Sequence, residues 1–243
     1  MNVVLNKKIM RLNLSKFIFL NKQRCNISTP QPGEIWKVNC FVRSPLDFLS
    51  KEQHNLYSYL AQSFLLGNSP PRYVMIVKEP ELDENIEEEW LVVYVMLLSV
   101  ETDFLNNLDL LIPAKISGLD RDLLAETWHI IPVLACNLLQ PVGKRLSRQI
   151  YDYLLTVRDY HSGLVSQLPA ITEIQNLGFT NENFYSANNP KIQNFHKAEQ
   201  AWSDVLTVPV AAYYTYLKSI KFTNAILNEA LQLEQDLQSD IGG

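Results

Sequence analysis

The sequence predicts an α+β fold, and three observations lead to this expectation. Short runs rich in β-branched and aromatic residues, separated by Pro, Gly, Asn and Asp, recur between residues 30 and 140. Helical three-to-four spacing replaces them after residue 160, where Asn and Ser become common. The chain has 243 residues, 47% of them apolar, which is enough to bury a sizeable core. We therefore expect a globular protein with a β-rich first part and a helical second part.

The N-terminal segment is basic, whereas the rest of the chain is acidic. Residues 1–33 contain no acid and six basic residues, which are Lys7, Lys8, Arg11, Lys16, Lys22 and Arg24. Because the whole chain has a net charge of −5, the remaining residues carry −11. Such an acidic body is a poor electrostatic match for nucleic acid, although it leaves room for a small basic site. We expect residues 1–29 to form a disordered tail, or translation to begin at Met10.

Targeting signals are weak in this sequence. The longest apolar run near the N-terminus, residues 17–20, is too short for a signal peptide and has no small-residue cleavage site after it. The basic, acid-free composition of this segment faintly resembles a transit peptide. No later run approaches the roughly 20 apolar residues that a membrane helix requires. We therefore expect a cytoplasmic protein without a membrane partner.

Cysteines and histidines are few and scattered. Cys25, Cys40 and Cys136 form no C-x-x-C spacing, which favours reduced intracellular thiols over a disulfide scaffold or a zinc ribbon. The four histidines also lack metal-ligand spacing, and a tetrahedral zinc site needs clustered ligands. We expect neither a metal nor a cofactor.

The first two elements follow from a change of period. PQPGEIWKVNCFV (30–42) places a β-branched and aromatic run after Pro and Gly, which predicts the first strand. Apolar residues then recur at three-to-four spacing over residues 44–67. Ser44 is the candidate N-cap, Pro45 the first helical residue and Gly67 the stop, so the pattern predicts a helix inserted before the next strand.

Two apolar runs predict the next strands, RYVMIV (72–77) and WLVVYVMLLSV (90–100). The second run is long enough to be covered on both faces. Between them, EPELDENIEEE (79–89) contains seven acids and no base. This segment is typical of a solvated hairpin loop. The alternative is a cation site, although the segment lacks the alternating spacing and the glycine of a calcium loop.

The second half of the chain changes from strands to helices. Short strands are predicted within residues 109–119 and 126–139, and helices over residues 142–157, 191–206 and 207–238. The last helix carries a stripe formed by Ile226, Ala230, Leu233 and Leu237. Such a stripe is typical of core packing or of an exposed seam for a partner helix or a dimer. We therefore divide the chain into the tail 1–29, a β-rich domain 30–160 and a helical extension 161–243.

Five stretches in this order resemble the MazF/PemK toxin family: PGEIWKV, RYVMIV, VYVMLLSVETD, LIPAKISGL and LLQPVGKRLS. Members open with a GEIW or GDIW strand, continue with a strand beginning Arg-Pro, and close on a Gly-x-Leu-Ser passage into a helix. The likeness covers residues 30–157. It implies a small SH3-like barrel of the MazF/PemK/CcdB type, here with a helical insertion and an α-helical C-terminal extension. It also implies a homodimer, inhibition by an antitoxin peptide and, in active members, metal-free cleavage of RNA independent of the ribosome.

The resemblance places catalytic candidates on two strands. Arg72 matches the arginine that opens the family's second strand, and a planar guanidinium suits the negative charge that develops on the phosphate. The family's assisting threonine falls within Ser99-Val100-Glu101-Thr102. Our alignment puts Glu101 at that position, where a carboxylate would repel phosphate and would form a structural ion pair with Arg72. A bulge would bring Thr102 back into place, because neighbouring strand residues point to opposite faces.

Two functions remain open at this level. The first is a regulatory or protein-binding module, related to stress or defence, with a degenerate nuclease site. Its groove would accept an antitoxin-like peptide, a transcription factor or the chain's own C-terminal helix. The second is a metal-independent endoribonuclease for single-stranded RNA, in which Arg72 stabilises phosphate and Ser99 or Thr102 supplies the hydroxyl. A globular protein that resembles the family by chance is the third reading.

Overall fold

A computed structural model describes residues 29–45, 56–80, 90–168, 186 and 188–219. Its strands form one six-stranded sheet, antiparallel throughout, in the order β4-β5-β3-β2-β1-β6. The strands are β1 (Ile35–Val38), β2 (Tyr73–Lys78), β3 (Val92–Ser99), β4 (Asp109–Ile112), β5 (Leu123–Leu134) and β6 (Leu138–Val142). Helices cover both faces of the sheet, so the predicted α+β class is confirmed.

The helices account for the remaining described elements. They are α1 (Tyr59–Leu65), α2 (Ala114–Ser117), α3 (Arg148–His161) and α4 (Pro190–Trp202), followed by helical residues 204–219. Two 3₁₀ turns, Thr102–Phe104 and Ala135–Asn137, follow β3 and β5. Within the described part of the chain, no helix combines the length and hydropathy that crossing a membrane would require.

Of the helix predicted over 44–67, the described residues show residue 56 and α1 as helical, with a break at residues 57 and 58. Residues 44 and 45 are not helical, and the N-cap of α1 is Ser58, whose side chain accepts a hydrogen bond from the backbone of Ala61. The predicted stop agrees better, since Gly67 follows α1 with a positive φ of 73°. Residues 46–55 lie outside the described residues. So do the predicted tail through residue 28, most of the acidic segment (81–89) and the C-terminal stripe beyond residue 219.

Two boundaries in the second half also differ from the sequence pattern. β5 starts at Leu123 rather than at residue 126 and extends over 12 residues. The passage LLQPVGKRLS, which we expected to lead directly into a helix, first forms β6. This strand pairs with β1. Helix α3 then begins at Arg148, capped by the side chain of Ser147. The helix predicted from residue 207 already includes residues 204–206, so Pro209 lies within its first turns.

The two faces of the sheet carry separate apolar cores. On one face, α1, α4 and the helix after α4 pack onto the strands through Trp36, Val74, Ile76, Val95, Leu97, Phe64, Trp202, Val205 and Leu206. On the other face, α3 packs onto Ile35, Met75, Met96, Leu98 and Ile112 through Leu154 and Val157. The C-terminal extension therefore contributes directly to the core of the β-rich region. We refer to the face under α1 and α4 as the α4 face.

The described strands form an open sheet, whereas the resemblance implied a barrel. β4 and β6 are the two ends of the strand order, and the recorded strand pairs do not join them. A small sheet closes on itself when one concave face has to form the core and the edges need partners. Here helices bury both faces, so the apolar residues are covered without closure.

Candidate functional site

Arg72 lies immediately before β2 and points towards α4. Its Nη1 atom donates to both carboxylate oxygens of Glu199, at 2.7 Å and 2.9 Å. Its guanidinium carbon lies 4.8 Å from the centre of the Trp202 ring, within the range of a cation–π contact. Only 13% of the Arg72 side chain is exposed. Helix α4 therefore covers the arginine that the sequence singled out.

Ser99 lies on the same face as Arg72. The antiparallel register pairs Tyr73 with Leu98, and its continuation places Ser99 opposite Arg72. Residues directly opposite each other in an antiparallel pair share a face of the sheet. Ser99 is fully buried, and its Oγ accepts a hydrogen bond from the backbone N–H of Glu101 at 3.2 Å. The structure thus brings two of the four predicted site residues onto one face.

Glu101 and Thr102 leave the sheet. β3 ends at Ser99, Glu101 is exposed, and the half-buried Thr102 opens a 3₁₀ turn. The expected ion pair of Arg72 with Glu101 is replaced by the pair of Arg72 with Glu199. The reason is geometric: the chain turns outward after β3, while α4 places a carboxylate directly above Arg72.

Two further acids lie buried in the sheet beside this pair. Asp109 on β4 and Glu126 on β5 are directly opposite each other, with exposures of 1% and 0%. Like charges at directly opposed positions repel, and burial removes the water that would screen them. Both groups can therefore be accommodated most easily in their uncharged form.

An enlarged bulge positions this part of β5. Met96 pairs with Ile130 and Leu98 pairs with Ala125, so Leu97 alone faces residues 126–129. Bulges redirect side chains and are frequent beside functional sites. In this case the extra residues of β5 supply Glu126, Trp128 and His129 to the region under α4.

Helix α4 presents an alternating aromatic and acidic stripe. Its buried residues are Ile192, Phe195, Glu199 and Trp202, at the helical spacing of one face. Phe195 stacks on Phe104 at 4.7 Å between ring centres. The indole N–H of Trp202 donates to Glu199 at 2.7 Å, which gives the carboxylate a second donor besides Arg72. An acid thus occupies a core position of the helix and is held there by hydrogen bonds.

Two histidines complete the arrangement. The Nδ1 atom of His129 lies 3.1 Å from an oxygen of Glu126, and the Nε2 atom of His196 lies 3.2 Å from the side-chain amide of Asn106. The Trp128 ring stacks on His129 at 4.5 Å and lies 4.4 Å from His196. Since the amide nitrogen of Asn106 is a donor, it pairs with a neutral His196 that accepts at Nε2.

We define the charge cluster as Arg72, Asp109, Glu126, His129, His196 and Glu199. Burial raises the pKa of Asp109 to about 8, despite hydrogen bonds from Trp128 and Asn106 that oppose the rise. Burial, followed by the negative charge of Glu199, raises the pKa of Glu126 well above its ordinary value. Burial and the neighbouring negative charge therefore favour the protonated form of both acids.

The same burial acts in the opposite direction on the histidines. It lowers the pKa of His129 to about 4, with a further contribution from His196. It also lowers the pKa of His196, although the charge of Glu199 opposes this shift. Near neutral pH both histidines are uncharged, so the charges of Arg72 and Glu199 cancel within an otherwise neutral cluster.

Glu126 and Glu199 interact carboxyl to carboxyl. No N–H or O–H donor of the described residues reaches Oε1 of Glu126, while its other oxygen faces His129. Glu199 nevertheless lies close enough for its negative charge to raise the pKa of Glu126. A proton on Oε1 would explain why this buried oxygen has no donor, because a protonated carboxyl can itself donate to the carboxylate of Glu199. The arrangement can therefore store a proton between the sheet and α4.

The described residues offer little for metal binding. Among them, His, Cys, Asp and Glu side chains form no group of three or more with an arrangement that could hold a metal ion. The charge cluster contains five such side chains, but they are paired with Arg72, tryptophan, asparagine and one another. Its central feature is the ion pair of Arg72 with Glu199, next to buried acids whose uncharged form is favoured.

Sequence reasoning missed Asp109, Glu126 and Glu199. One signal was available: within KIQNFHKAEQAW, Glu199 falls on the stripe that also contains Ile192 and Trp202, where a charged residue is unusual. His129 lies in a strand-like run without a local signal of a site, and it is buried with 7% exposure. Asp109 and Glu126 carry no such signal, because their opposition depends on the register of β4 with β5.

No protein-family model matches the chain, and the comparison with curated proteins finds no significant match. The likeness to the MazF/PemK family therefore rests on the five sequence stretches alone.

Proposed function

We propose that this protein is a regulatory, protein-binding module, built on a MazF/PemK-like domain whose SH3-like barrel has opened into a helix-covered sheet. Its helix-binding groove lies on the α4 face and is occupied in cis by α4. One observation carries the proposal: Arg72, at the position of the family's catalytic arginine, is neutralised by Glu199 and covered by Trp202. The nuclease site is degenerate under this proposal.

The surroundings of Arg72 favour a carboxylate on a helix over a phosphate. RNA cleavage needs a positively charged site that can accept the negative charge of the transition state. Here Glu126 lies close enough to Arg72 for their charges to interact, and the hydroxyl of Ser99 is engaged with the backbone. A phosphate would have to displace Glu199 and would then face a further acid, Glu126.

The groove recognises a particular side-chain pattern. Phe195, Glu199 and Trp202 are spaced aromatic-x₃-acid-x₂-Trp along α4. Arg72 accepts the acid, Phe104 stacks on Phe195, and Phe64 lies 5.8 Å from Trp202 between ring centres. Burial of each large apolar side chain contributes about 1.5–3 kcal/mol. A partner helix with the same pattern, from an antitoxin-like peptide or a transcription factor, would compete with α4 for this groove.

A labelled peptide of residues 188–206 tests the groove. The peptide is expected to bind the full-length Glu199→Gln chain at least ~10-fold more tightly than the wild-type chain, because tethered α4 competes at an effective concentration of about millimolar. Fluorescence anisotropy measures both affinities. The matched control is the same peptide with Gln in place of Glu199, which is expected to bind weakly because it cannot neutralise Arg72. Equal binding of the two peptides, or binding to neither chain, would overturn the proposal.

Incubation with single-stranded RNA separates the module from the endoribonuclease. We expect no cleavage above background by the wild-type chain, since the guanidinium of Arg72 is occupied. The reaction is followed on a denaturing gel, without metal, beside the Arg72→Ala chain. Cleavage by the wild type that the substitution abolishes would establish the alternative function.

A further inference from the structure

We infer that α4 is held by a proton-dependent latch: it docks while Asp109 and Glu126 are uncharged and is released as the pH rises from mildly acidic to mildly basic. This inference rests on the proposed function in one respect, because the surface that release exposes is the proposed helix-binding groove. The latch itself depends only on the geometry of the charge cluster.

The geometry places three buried carboxyl groups on one face of the sheet, where a single guanidinium pairs with only one of them. Asp109 and Glu126 oppose each other across two strands, and α4 brings Glu199 onto the same face. Arg72 donates two hydrogen bonds to Glu199, so that pair is electrostatically balanced. If both sheet acids were ionised, two buried negative charges would remain beside Glu199 without a paired cation. Docking of α4 therefore requires protons on the sheet acids.

Each element packed around Glu199 contributes a group that titrates or carries charge. The segment before β2 supplies Arg72, β4 supplies Asp109, β5 supplies Glu126 and His129, and α4 itself supplies His196. Near the end of α4, Asp204 accepts a hydrogen bond from the backbone N–H of Ser58 at 3.4 Å and lies beside Tyr57. Undocking α4 would expose the cluster to water and separate Glu126 from Glu199.

The acids and the histidines respond to pH in opposite directions. The pKa of Asp109, about 8 in the docked state, would return towards an ordinary value on undocking, and that of Glu126 would fall as well. Undocking therefore releases protons, and the docked state weakens as the pH rises towards about 8. The pKa values of both histidines are lowered in the docked state. At pH values below the ordinary histidine pKa, undocking therefore takes up protons, which offsets protons that the acids release.

These opposing effects define the operating window. Below about pH 6.5, protons taken up by the histidines offset part of the protons released by the carboxyls. Above it, the histidines are neutral in both states and only the carboxyls remain linked to docking. The latch is therefore less sensitive to mildly acidic pH and opens between about pH 6.5 and pH 8.

Amide hydrogen exchange of the full-length chain tests the latch. After normalisation for the intrinsic exchange rate, protection of α4 is expected to fall roughly 10-fold per pH unit for each proton released between about pH 6.5 and pH 8. Protection of α3, on the opposite face of the sheet, is expected to stay constant over the same range, which separates local undocking from global unfolding.

Two matched variants assign the effect to the cluster. Glu126→Gln keeps the shape, can donate its amide to Glu199 and cannot ionise, so the pH dependence of α4 protection is expected to flatten by one proton. Glu79→Gln removes an exposed acid outside the cluster and is expected to leave the profile unchanged. A wild-type profile without pH dependence, or a Glu126→Gln profile equal to that of the wild type, would overturn the latch.

The latch and the proposed function fail in different ways. If α4 protection falls with pH while the 188–206 peptide binds neither chain, the latch stands and the groove is not a docking site for a partner. If the peptide binds as expected while α4 protection is independent of pH, the groove stands and the latch is wrong.

Discussion

Replacing Arg72 by Ala is expected to reduce the free energy of unfolding by about 3–5 kcal/mol, the range for removing one partner of a buried ion pair. Glu199 is 2% exposed and would lose the cation that neutralises it. The three acids of the cluster would then have to share protons at near-neutral pH. Urea unfolding followed by circular dichroism measures the change, with the slope of the transition as a check that the mechanism is unchanged.

A double substitution separates the ion pair from ordinary packing. Arg72→Met with Glu199→Met replaces both charged groups by apolar ones, and such replacements are often neutral or stabilising. We expect the double variant to be clearly more stable than Arg72→Ala. If the loss of stability in the double variant equals the sum of the losses from Arg72→Met and Glu199→Met alone, the pair is not coupled. The central contact of the proposed groove is then incorrect.

Replacing Trp202 by Ala is the second large effect, with an expected loss of about 3–5 kcal/mol. The Trp202 side chain is 1% exposed, lies against Phe64 and stacks over Arg72. Its removal leaves a cavity between α1, α4 and the sheet. Because α4 protection should fall more than α3 protection, hydrogen exchange of the same variant would report where the loss is felt.

Two controls resolve the contributions of Trp202. Trp202→Phe keeps much of the apolar volume and removes the indole N–H that donates to Glu199, so it is expected to cost less than Trp202→Ala. Tyr59→Ala removes an aromatic ring that is 82% exposed and is expected to change stability by at most about 0.5 kcal/mol. A Trp202→Ala chain as stable as Tyr59→Ala would contradict the packing described for α4.

Local patterns predicted most strands because their signals lie within a few residues. The runs at 72–77 and 90–100 are apolar and β-branched, and β2 and β3 occupy nearly the same residues. The break before α1 could not be predicted in this way, because the apolar three-to-four spacing continues through residues 57 and 58. Ser58 caps α1 and is also tied to α4, where its hydroxyl donates to the carbonyl of Ala201. This tertiary contact fixes the position of the cap.

The candidate site was likewise predicted in part from the sequence and decided in part by tertiary contacts. The sequence identified Arg72 as an unusual residue at the start of a strand, and the resemblance to the MazF/PemK family made Ser99 a candidate partner. The bulge that presents Glu126 arises from the register of two strands and has no signature in β5 itself. The sequence of residues 126–129 has an ordinary strand pattern, and the bulge appears only in the pairing of β5 with β3.

By itself, the sequence determined the α+β class, the positions of most strands and the presence of an arginine that needs a partner. The tertiary structure decided that this partner is Glu199, which lies 127 residues further along the chain. It also decided that two other acids share its environment. The physical reason is that secondary structure follows short-range periodicity, whereas charge pairing and proton sharing depend on atoms a few ångströms apart on elements distant in sequence.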